Sequence, residues 1–366
     1  MSLLEVDDLT VNFYTEDGIV TAADGLSYRI EAGETFGVVG ESGAGKSVTA
    51  LSLMRLIEDP GRIESGEIRF KGEDILSMSE EEVRSVRGNE IAMIFQDAQT
   101  ALNPVYSVGE QIAEAIRHHM DYDDAAARDR TVRLLDRVGI PDAESRYDDY
   151  PHEFSGGMQQ RAVIAMALSC DPDLLIADEP TTALDVTTEA KILDQIEDLA
   201  DEFDTAVQLI THDLGVVAKT CERVMVMYAG RPVEKAPVEE LYYDPKHPYT
   251  VGLMSSIPRI GDTRERLQTI PGTMPDLVEV PPGCSFHPRC PYAEESCTRK
   301  QPGLVDPETG EPADDDADHA SACLAYTGDL DGDLDYEVVV DGELDVAGDG
   351  EDSADDGTIE EEQDAW

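Results

Sequence analysis

Lysine is scarce in this chain of 366 residues: seven occur, and Lys and Arg together number 27 against 80 Asp and Glu, a formal net charge of −53. A protein that grips nucleic acid needs a basic surface to displace counterions from phosphates, so direct DNA or RNA binding is disfavoured. Long apolar runs are missing too, and none approaches the roughly 20 residues that span a bilayer. Met1 to Asp7 lack the basic start and apolar stretch of a secretory signal, so a cytosolic chain is expected unless something else brings it to a membrane. Four of the six cysteines lie between positions 284 and 323, which argues for a local metal or cluster site over a disulfide scaffold. The length allows about two or three domains, and an apolar content of 41% supports real cores.

The acidic excess runs through the body as well as the carboxy-terminal end. Acidic surfaces poor in lysine resemble proteins of salt-loving archaea, where high salt screens self-repulsion; an ordinary acidic protein is the alternative. Beyond Gly328 the chain carries 17 acidic residues and no Lys or Arg. Low hydrophobicity and one charge sign predict a disordered tail over 328–366, with a solubilising extension as the simplest role and a short strand at Tyr336-Glu-Val-Val-Val340 as the one exception.

What is present centres on Thr35-Phe-Gly-Val-Val-Gly-Glu-Ser-Gly-Ala-Gly-Lys-Ser-Val-Thr49. A short apolar run, Phe36 to Val39, enters Gly40-x-x-x-x-Gly45-Lys46-Ser47, and the chain leaves on a helical pattern through Leu51, Leu53, Met54 and Leu56. This is a P-loop in the strand–loop–helix setting that its physics requires. Glycines at 40, 43 and 45 let the backbone bend so that amides of Gly40, Glu41, Ser42, Gly43, Ala44, Gly45, Lys46, Ser47 and Val48 cradle phosphates, helped by the positive end of the following helix. Lys46 would reach the β- and γ-phosphates and Ser47 would bind Mg²⁺. A serine-hydrolase elbow at Ser42 fails, because it needs glycine at position 44, which is Ala44.

Around this loop, strands are expected at 3–13, Gly25 to Ile30, Gly66 to Phe70 and Glu90 to Phe95. The β-rich start could offer an aromatic to adenine, Tyr14 first and Phe13 second. From Val108 to about Leu168 the pattern is helical. An apolar strand then ends on Asp178 and Glu179, and a helix at Glu189 to Leu199 and a strand at Ala206 to Leu209 lead to His212. Such alternation predicts a mostly parallel α/β core with an inserted helical subdomain at about 97–165.

Taken in order, the P-loop, Gln96, Ser155-Gly-Gly157, Asp178-Glu179, Leu184-Asp185 and His212 resemble the ATP-binding subunit of an ABC transporter, over roughly residues 3–325. Asp178, ending an apolar strand, can hold the Mg²⁺ shell beside Ser47, and Glu179 can serve the attacking water as general base. The resemblance implies that His212 contacts the γ-phosphate and Gln96 the metal and water. It also implies that Ser155, Gly156 and Gly157 dock on ATP held by an opposite subunit in a head-to-tail pair, with Asp185 at that contact. Gln96-Asp-x-x-x-x-Leu-Asn-Pro104, Phe154-Ser-Gly-Gly-Met-Gln-Gln-Arg161 and His247-Pro-Tyr-Thr250 are similar to the dipeptide and oligopeptide importers, whose relatives also carry nickel. Met158 stands where the standard signature has Gln, a variant of that branch. Ala98-Gln-Thr-Ala departs from the branch's Pro-Met-Thr-Ser beside the surface that faces membrane subunits.

The expected architecture is a P-loop NTPase (ABC ATPase) domain at 1–245, with a β-rich amino-terminal subdomain and the helical insertion, then a small Cys-rich extension at 246–327. Four cysteines at 284, 290, 297 and 323 could tie a loop-rich segment, as a zinc site, a cluster or plain thiols; short Cys-x-x-Cys knuckles are absent. The resemblance favours a [4Fe–4S] cluster held by Cys284, Cys290, Cys297 and Cys323, with His287 and His319 structural. It further implies a second ATPase subunit, identical or paralogous, two transmembrane permeases, an extracellular solute-binding protein reached indirectly, and a place on the cytoplasmic face of the membrane. A soluble ABC ATPase acting on DNA or ribosomes is the rival; such proteins carry coiled-coil or zinc-finger insertions or two cassettes, and this chain shows one cassette and an acidic surface. Intact Glu179 and His212 speak against a cassette that only binds ATP.

Overall fold

The first sheet is decided by alternation and one interruption of it. β1 (Ser2–Thr15) buries Leu4 and Val6, then Leu9 and Val11, and β2 (Gly18–Glu31) runs antiparallel beside it. The computed structural model describes residues 2–96, 98–181, 186–255, 270–313, 317, 319–332 and 334–336. After β2 the chain crosses through β3 (Thr35–Val39) and α1 (Lys46–Leu53), then returns as β4 (Gly61–Phe70) and β5 (Glu73–Asp74) to complete an antiparallel sheet in the order β2-β1-β4-β5. The slip in phase between Val6 and Leu9 is a bulge: one extra residue in β1 against both neighbours, with Asp8 at a left-handed φ of 48°. Opposite it Gly66 has φ 107°, and a Cβ there would lie 2.6 Å from the Leu9 Cα.

After α2 (Glu80–Val86) comes β6 (Ile91–Ile94), and then the helical insertion: α3 (Ala98–Ala101), α4 (Val108–His119), α5 (Asp124–Arg137), α6 (Ala143–Arg146) and α7 (Gly156–Ala167). The core resumes with β7 (Leu174–Asp178), α8 (Val186–Phe203), β8 (Ala206–Thr211), α9 (Leu214–Thr220), β9 (Arg223–Tyr228), β10 (Arg231–Pro237), α10 (Val238–Tyr243) and α11 (Pro248–Ser255); β11 (Ala320–Ser321) follows much later. The main sheet has the order β11-β10-β9-β3-β8-β7-β6, parallel from β9 to β6, with β10 and β11 antiparallel at one edge. The parallel part was expected; the β9–β10 turn-back and its edge strand were not.

Strands buried on both faces read as continuous apolar runs, and these do. Leu174, Ile176, Ala206, Ile210, Met225 and Met227 join the core under the first sheet. Their neighbours Leu175, Ala177, Val207, Leu209, Val224 and Val226 join the core beneath the helices, including Ile112, Leu135, Ile164 and Ile192. The main sheet is therefore a middle layer, sealed on each side. A buried polar link crosses to the first sheet: the Tyr28 hydroxyl donates to Gln208 Oε1 at 3.2 Å, and its ring stacks on Phe36 with centroids 5.4 Å apart.

Beyond α11 the described chain has little regular structure and is fastened by polar groups. Glu234 of β10, fully buried, accepts from the His247 amide at 2.9 Å and the Lys246 amide at 2.5 Å, and its Oε1 lies 2.8 Å from His319 Nε2. His319 Nδ1 also lies 3.2 Å from Glu240 Oε2. Contacts continue past position 328, where the acidic tail was expected to begin. The Asp331 and Gly332 amides each donate to the Glu294 carboxylate at 3.0 Å, and the Tyr336 hydroxyl donates to the Pro245 and Lys246 carbonyls at 3.0 and 2.9 Å. Residues 337–366, with Val338 to Val340 and most of the acidic tail, lie outside the described residues.

Tyr28→Phe removes the donor to Gln208, whose Nε2 already lacks a partner. We expect a loss of about 1–2 kcal/mol in urea unfolding, because a buried acceptor is left unsatisfied. An unchanged midpoint would show that the link contributes nothing.

Candidate active site

Parallel register brings three chain segments to one edge of the main sheet. Val39 of β3 pairs with Thr211 of β8, and Asp178 of β7 pairs with Ile210. The residues that follow these strands, Gly40, Glu179 and His212, therefore emerge together at the carboxyl end, where open α/β sheets place ligands. A cleft of about 320 Å³ opens there, lined by Phe13, Val20 and Ala22, the loop from Ser42 to Val48, Gln96, Glu179 and Leu277.

The loop has the shape of an anion cradle. Gly45 has φ 103°, and a Cβ on it would lie 2.0 Å from the Ala22 carbonyl oxygen; one on Gly40 would lie 2.4 Å from that of Met227. Side chains are excluded at both places. No side chain caps the start of α1, so its first amides are left for a ligand. The Lys46 side chain is 5% exposed and Nζ donates to the Gly40 and Glu41 carbonyls at 2.8 and 3.2 Å, with Glu179 Oε1 at 3.9 Å. Burial pulls its pKa below the ordinary lysine value, against the pull of Glu179 and Asp178. Burial likewise pushes the Asp178 carboxyl above its usual range, opposed by the hydrogen bond from Ser47 Oγ to its Oδ1 at 3.1 Å. A hydroxyl and a carboxylate in contact are hard oxygen donors suited to Mg²⁺.

The three expected catalytic groups meet. Gln96 Nε2 donates to Glu179 Oε2 at 2.9 Å, and His212 Nδ1 lies 3.5 Å from Glu179 Oε1. Glu179 has a left-handed φ of 46°, while its amide still donates to the Ile210 carbonyl at 2.9 Å. Such strain in a non-glycine residue gathers at functional sites.

Comparison with known proteins agrees with this geometry. A family model described as ABC transporter matches residues 23–182, and one described as the oligopeptide/dipeptide transporter C-terminal region matches 233–297. The probable peptide ABC transporter ATP-binding protein y4tR of Sinorhizobium fredii is 52% identical over 323 residues, covering 88% of this chain and 94% of the relative. The oligopeptide transport ATP-binding protein OppD of Salmonella typhimurium is 51% identical over 300 residues, covering 82% and 89%.

The chain belongs to the ABC transporter ATP-binding proteins. Among solved structures, the ATP-binding cassette MJ0796 as a dimer in a post-hydrolysis state with ADP and Pi superimposes with a TM-score of 0.58 at 25% identity, over 64% of this chain and 98% of that one. The cassette cbiO1 of Clostridium perfringens gives 0.57 at 28% identity, over 66% and 91%. ATP binding and hydrolysis are thus the activity of this chain's family. Both relatives named above are bacterial and lend no support to a salt-loving archaeal source.

Within this ATP-binding protein the signature residues lie apart from the cleft. Ser155 caps α7, its Oγ accepting from the Met158 amide at 3.3 Å; Ser155 and Gly156 are exposed, and Ser155, Gly156 and Gly157 are not among the cleft's lining residues. Leu184 and Asp185 lie outside the described residues. The first choice for an adenine-facing aromatic is corrected. Tyr14 is 43% exposed and donates to Glu64 Oε1 at 2.7 Å, while Phe13 lines the cleft. Successive strand residues face opposite ways, so only one of the two can do so. Leu277, from the carboxy-terminal extension, was not foreseen; no motif marks it.

Cys284, Cys290, Cys297 and Cys323 are free thiols and line one small, largely apolar cavity with His247, Phe286, His287 and Tyr292. Leu330 and Leu334 close its rim. Burial pushes the Cys290 thiol up to about 11 and the Cys323 thiol up to about 12. Among the described residues, no three of His, Cys, Asp or Glu are gathered so as to hold a metal ion. The expected four-cysteine centre therefore has its residues in one place but not in a closed ligand geometry.

Proposed function

We propose that the chain is the ATP-hydrolysing subunit of a membrane importer for dipeptides and oligopeptides, peripheral on the cytoplasmic face of the membrane. The observation that carries the hydrolytic part is the meeting of Gln96, Glu179 and His212 at the phosphate end of an anion cradle. The names of the relatives and the match of the carboxy-terminal region support the peptide cargo; nickel or another small solute carried by the same machinery is the alternative. Lys46 and the loop amides hold the β- and γ-phosphates. Ser47 and Asp178 are the residues to hold Mg²⁺, which when bound neutralises phosphate charge. Gln96 and His212 orient Glu179 and the water, and Phe13 faces the adenine. Water attacks the γ-phosphorus, Glu179 takes its proton, and the bond from phosphorus to the β–γ bridging oxygen breaks, releasing ADP and phosphate.

The second half of the site is supplied by another ATPase subunit, identical or paralogous, placed head to tail. Exposed Ser155 and Gly156 outside their own chain's cleft support this, as does the dimeric state of the MJ0796 cassette. Two permeases complete the machine, with a solute-binding protein acting through them. Val105 at 70% exposed and Tyr106 at 55%, close in sequence to Gln96, suit such a membrane partner. Glu179→Gln keeps the hydrogen bond to Gln96 but removes the base. It should lower turnover about 100-fold or more and trap ATP in a closed pair, seen as a mass shift on gel filtration. Unchanged turnover would overturn the role of Glu179.

The four thiols around one cavity support a [4Fe–4S] cluster as a structural staple. Protein purified without oxygen is expected to carry iron and absorb broadly in the visible range. Stoichiometric zinc without iron, or neither metal, refutes this.

The net charge of −53 supports a working environment of high salt. Stability and ATPase activity should rise as KCl goes from about 0.1 M towards molar concentrations, because screening relieves self-repulsion. Activity that peaks at low salt and only declines would place the protein among ordinary acidic ones.

A further inference from the structure

Glu41, the residue after Gly40 in the phosphate-binding loop, is held at two points from the carboxy-terminal part of the chain. Its backbone amide donates to the Tyr249 hydroxyl at 3.0 Å, and its carboxylate accepts from Arg289 Nη1 at 3.1 Å. Arg289 is itself fixed: its side chain is 7% exposed, Nε donates to the Pro271 carbonyl at 2.9 Å, and Nη1 lies 3.5 Å from the Tyr228 hydroxyl. Tyr228, Tyr249 and Phe286 pack ring against ring with centroids 4.7, 5.2 and 5.3 Å apart, which sets the Tyr249 hydroxyl in place. The same peptide segment of the loop receives Lys46, through the carbonyls of Gly40 and Glu41. Turning Glu41 therefore turns the carbonyls that aim the phosphate-binding ammonium.

We propose that Arg289 and Tyr249 are positioning residues for ATP: they clamp Glu41 so that the loop and Lys46 are already arranged when nucleotide arrives. Leu277, from the same part of the chain as Pro271 and Arg289, forms a wall of the cleft, so the extension both shapes the site and steadies its loop. This rests on the loop being the ATP site. The alternative is a clasp that keeps the extension attached and has no bearing on nucleotide.

The test is binding of MANT-ATP with Mg²⁺ to the full-length chain, alongside thermal unfolding. Arg289→Met should weaken binding roughly five- to tenfold, since preorganisation lost from the free protein is recovered at the expense of affinity. Arg289→Lys should restore part of it by returning the charge to Glu41. Glu41→Gln should weaken binding by a smaller factor, and the Glu41→Gln/Arg289→Met pair should be no worse than Arg289→Met alone. Wild-type affinity in both single variants, with only the melting temperature lowered, overturns the proposal. If Arg289→Met does not fold, Glu41→Gln and Tyr249→Phe decide the matter: unchanged affinity in both is the refuting result. A wild-type chain that binds no Mg·ATP would overturn the ATP site itself, a separate failure read before any variant is made.

Discussion

Parallel pairing of β3, β8 and β7 is the constraint on which the chemistry depends. A shift of one residue between β7 and β8 would carry Asp178 away from Ser47 and exchange the side chains that the strand sends to the two cores. The register also explains the backbone at Glu179. In an extended strand, consecutive carboxylates would point to opposite faces. Asp178 must face Ser47, and Glu179 must face the same cleft; the left-handed turn at φ 46° lets it do so while its amide stays bonded to Ile210. The strain is local, and a sheet buried on both faces holds it.

Within that frame the charges are arranged ahead of the ligand. Lys46 and Asp178 are both withdrawn from water, and burial moves each towards its neutral form while the opposite charge of the other resists. In the proposed site a triphosphate with its metal would supply what is lacking on both sides, negative charge for Lys46 and positive charge for Asp178. Binding therefore relieves a cost already present in the free protein, and the site need not reorganise much to accept it. The exposed start of α7 differs: Ser155 caps it by accepting from the Met158 amide, and Ser155 and Gly156 face water away from the cleft.

Much of the site was legible because its signals are local. Gly40 to Ser47 announces itself through glycine spacing, and Asp178-Glu179 through an apolar run ending on two acids; neither needs knowledge of the fold. The aromatic was misread by one place, since the run from Leu3 to Phe13 hides a bulge at Asp8 that alternation alone does not reveal. The β9–β10 turn-back was missed because β10 buries Glu234 and Lys235, charged residues that break the apolar pattern of a core strand. Composition averaged over the acidic end concealed Leu330, Leu334 and Tyr336, which pack while Asp331, Gly332 and Asp335 face water. The hold on Glu41 was out of reach for a different reason: its partners lie 208 and 248 residues away, and no spacing rule connects them.

That hold also makes a poor stabiliser, which bears on why it exists. Taking a guanidinium out of water costs several kcal/mol, and Glu41, at 29% exposed, returns less than a fully buried carboxylate would. The Pro271 carbonyl and the face of Tyr228, 5.7 Å from the guanidinium carbon, make up part of the difference. An apolar side chain of similar size could seal the same gap without the desolvation cost. What it could not do is fix the direction of a loop residue, because dispersion contacts tolerate sliding and an Arg–carboxylate pair does not. The arrangement is therefore better understood through the geometry it imposes on Glu41 than through the stability it adds. The carboxy-terminal extension is in that sense part of the ATP site.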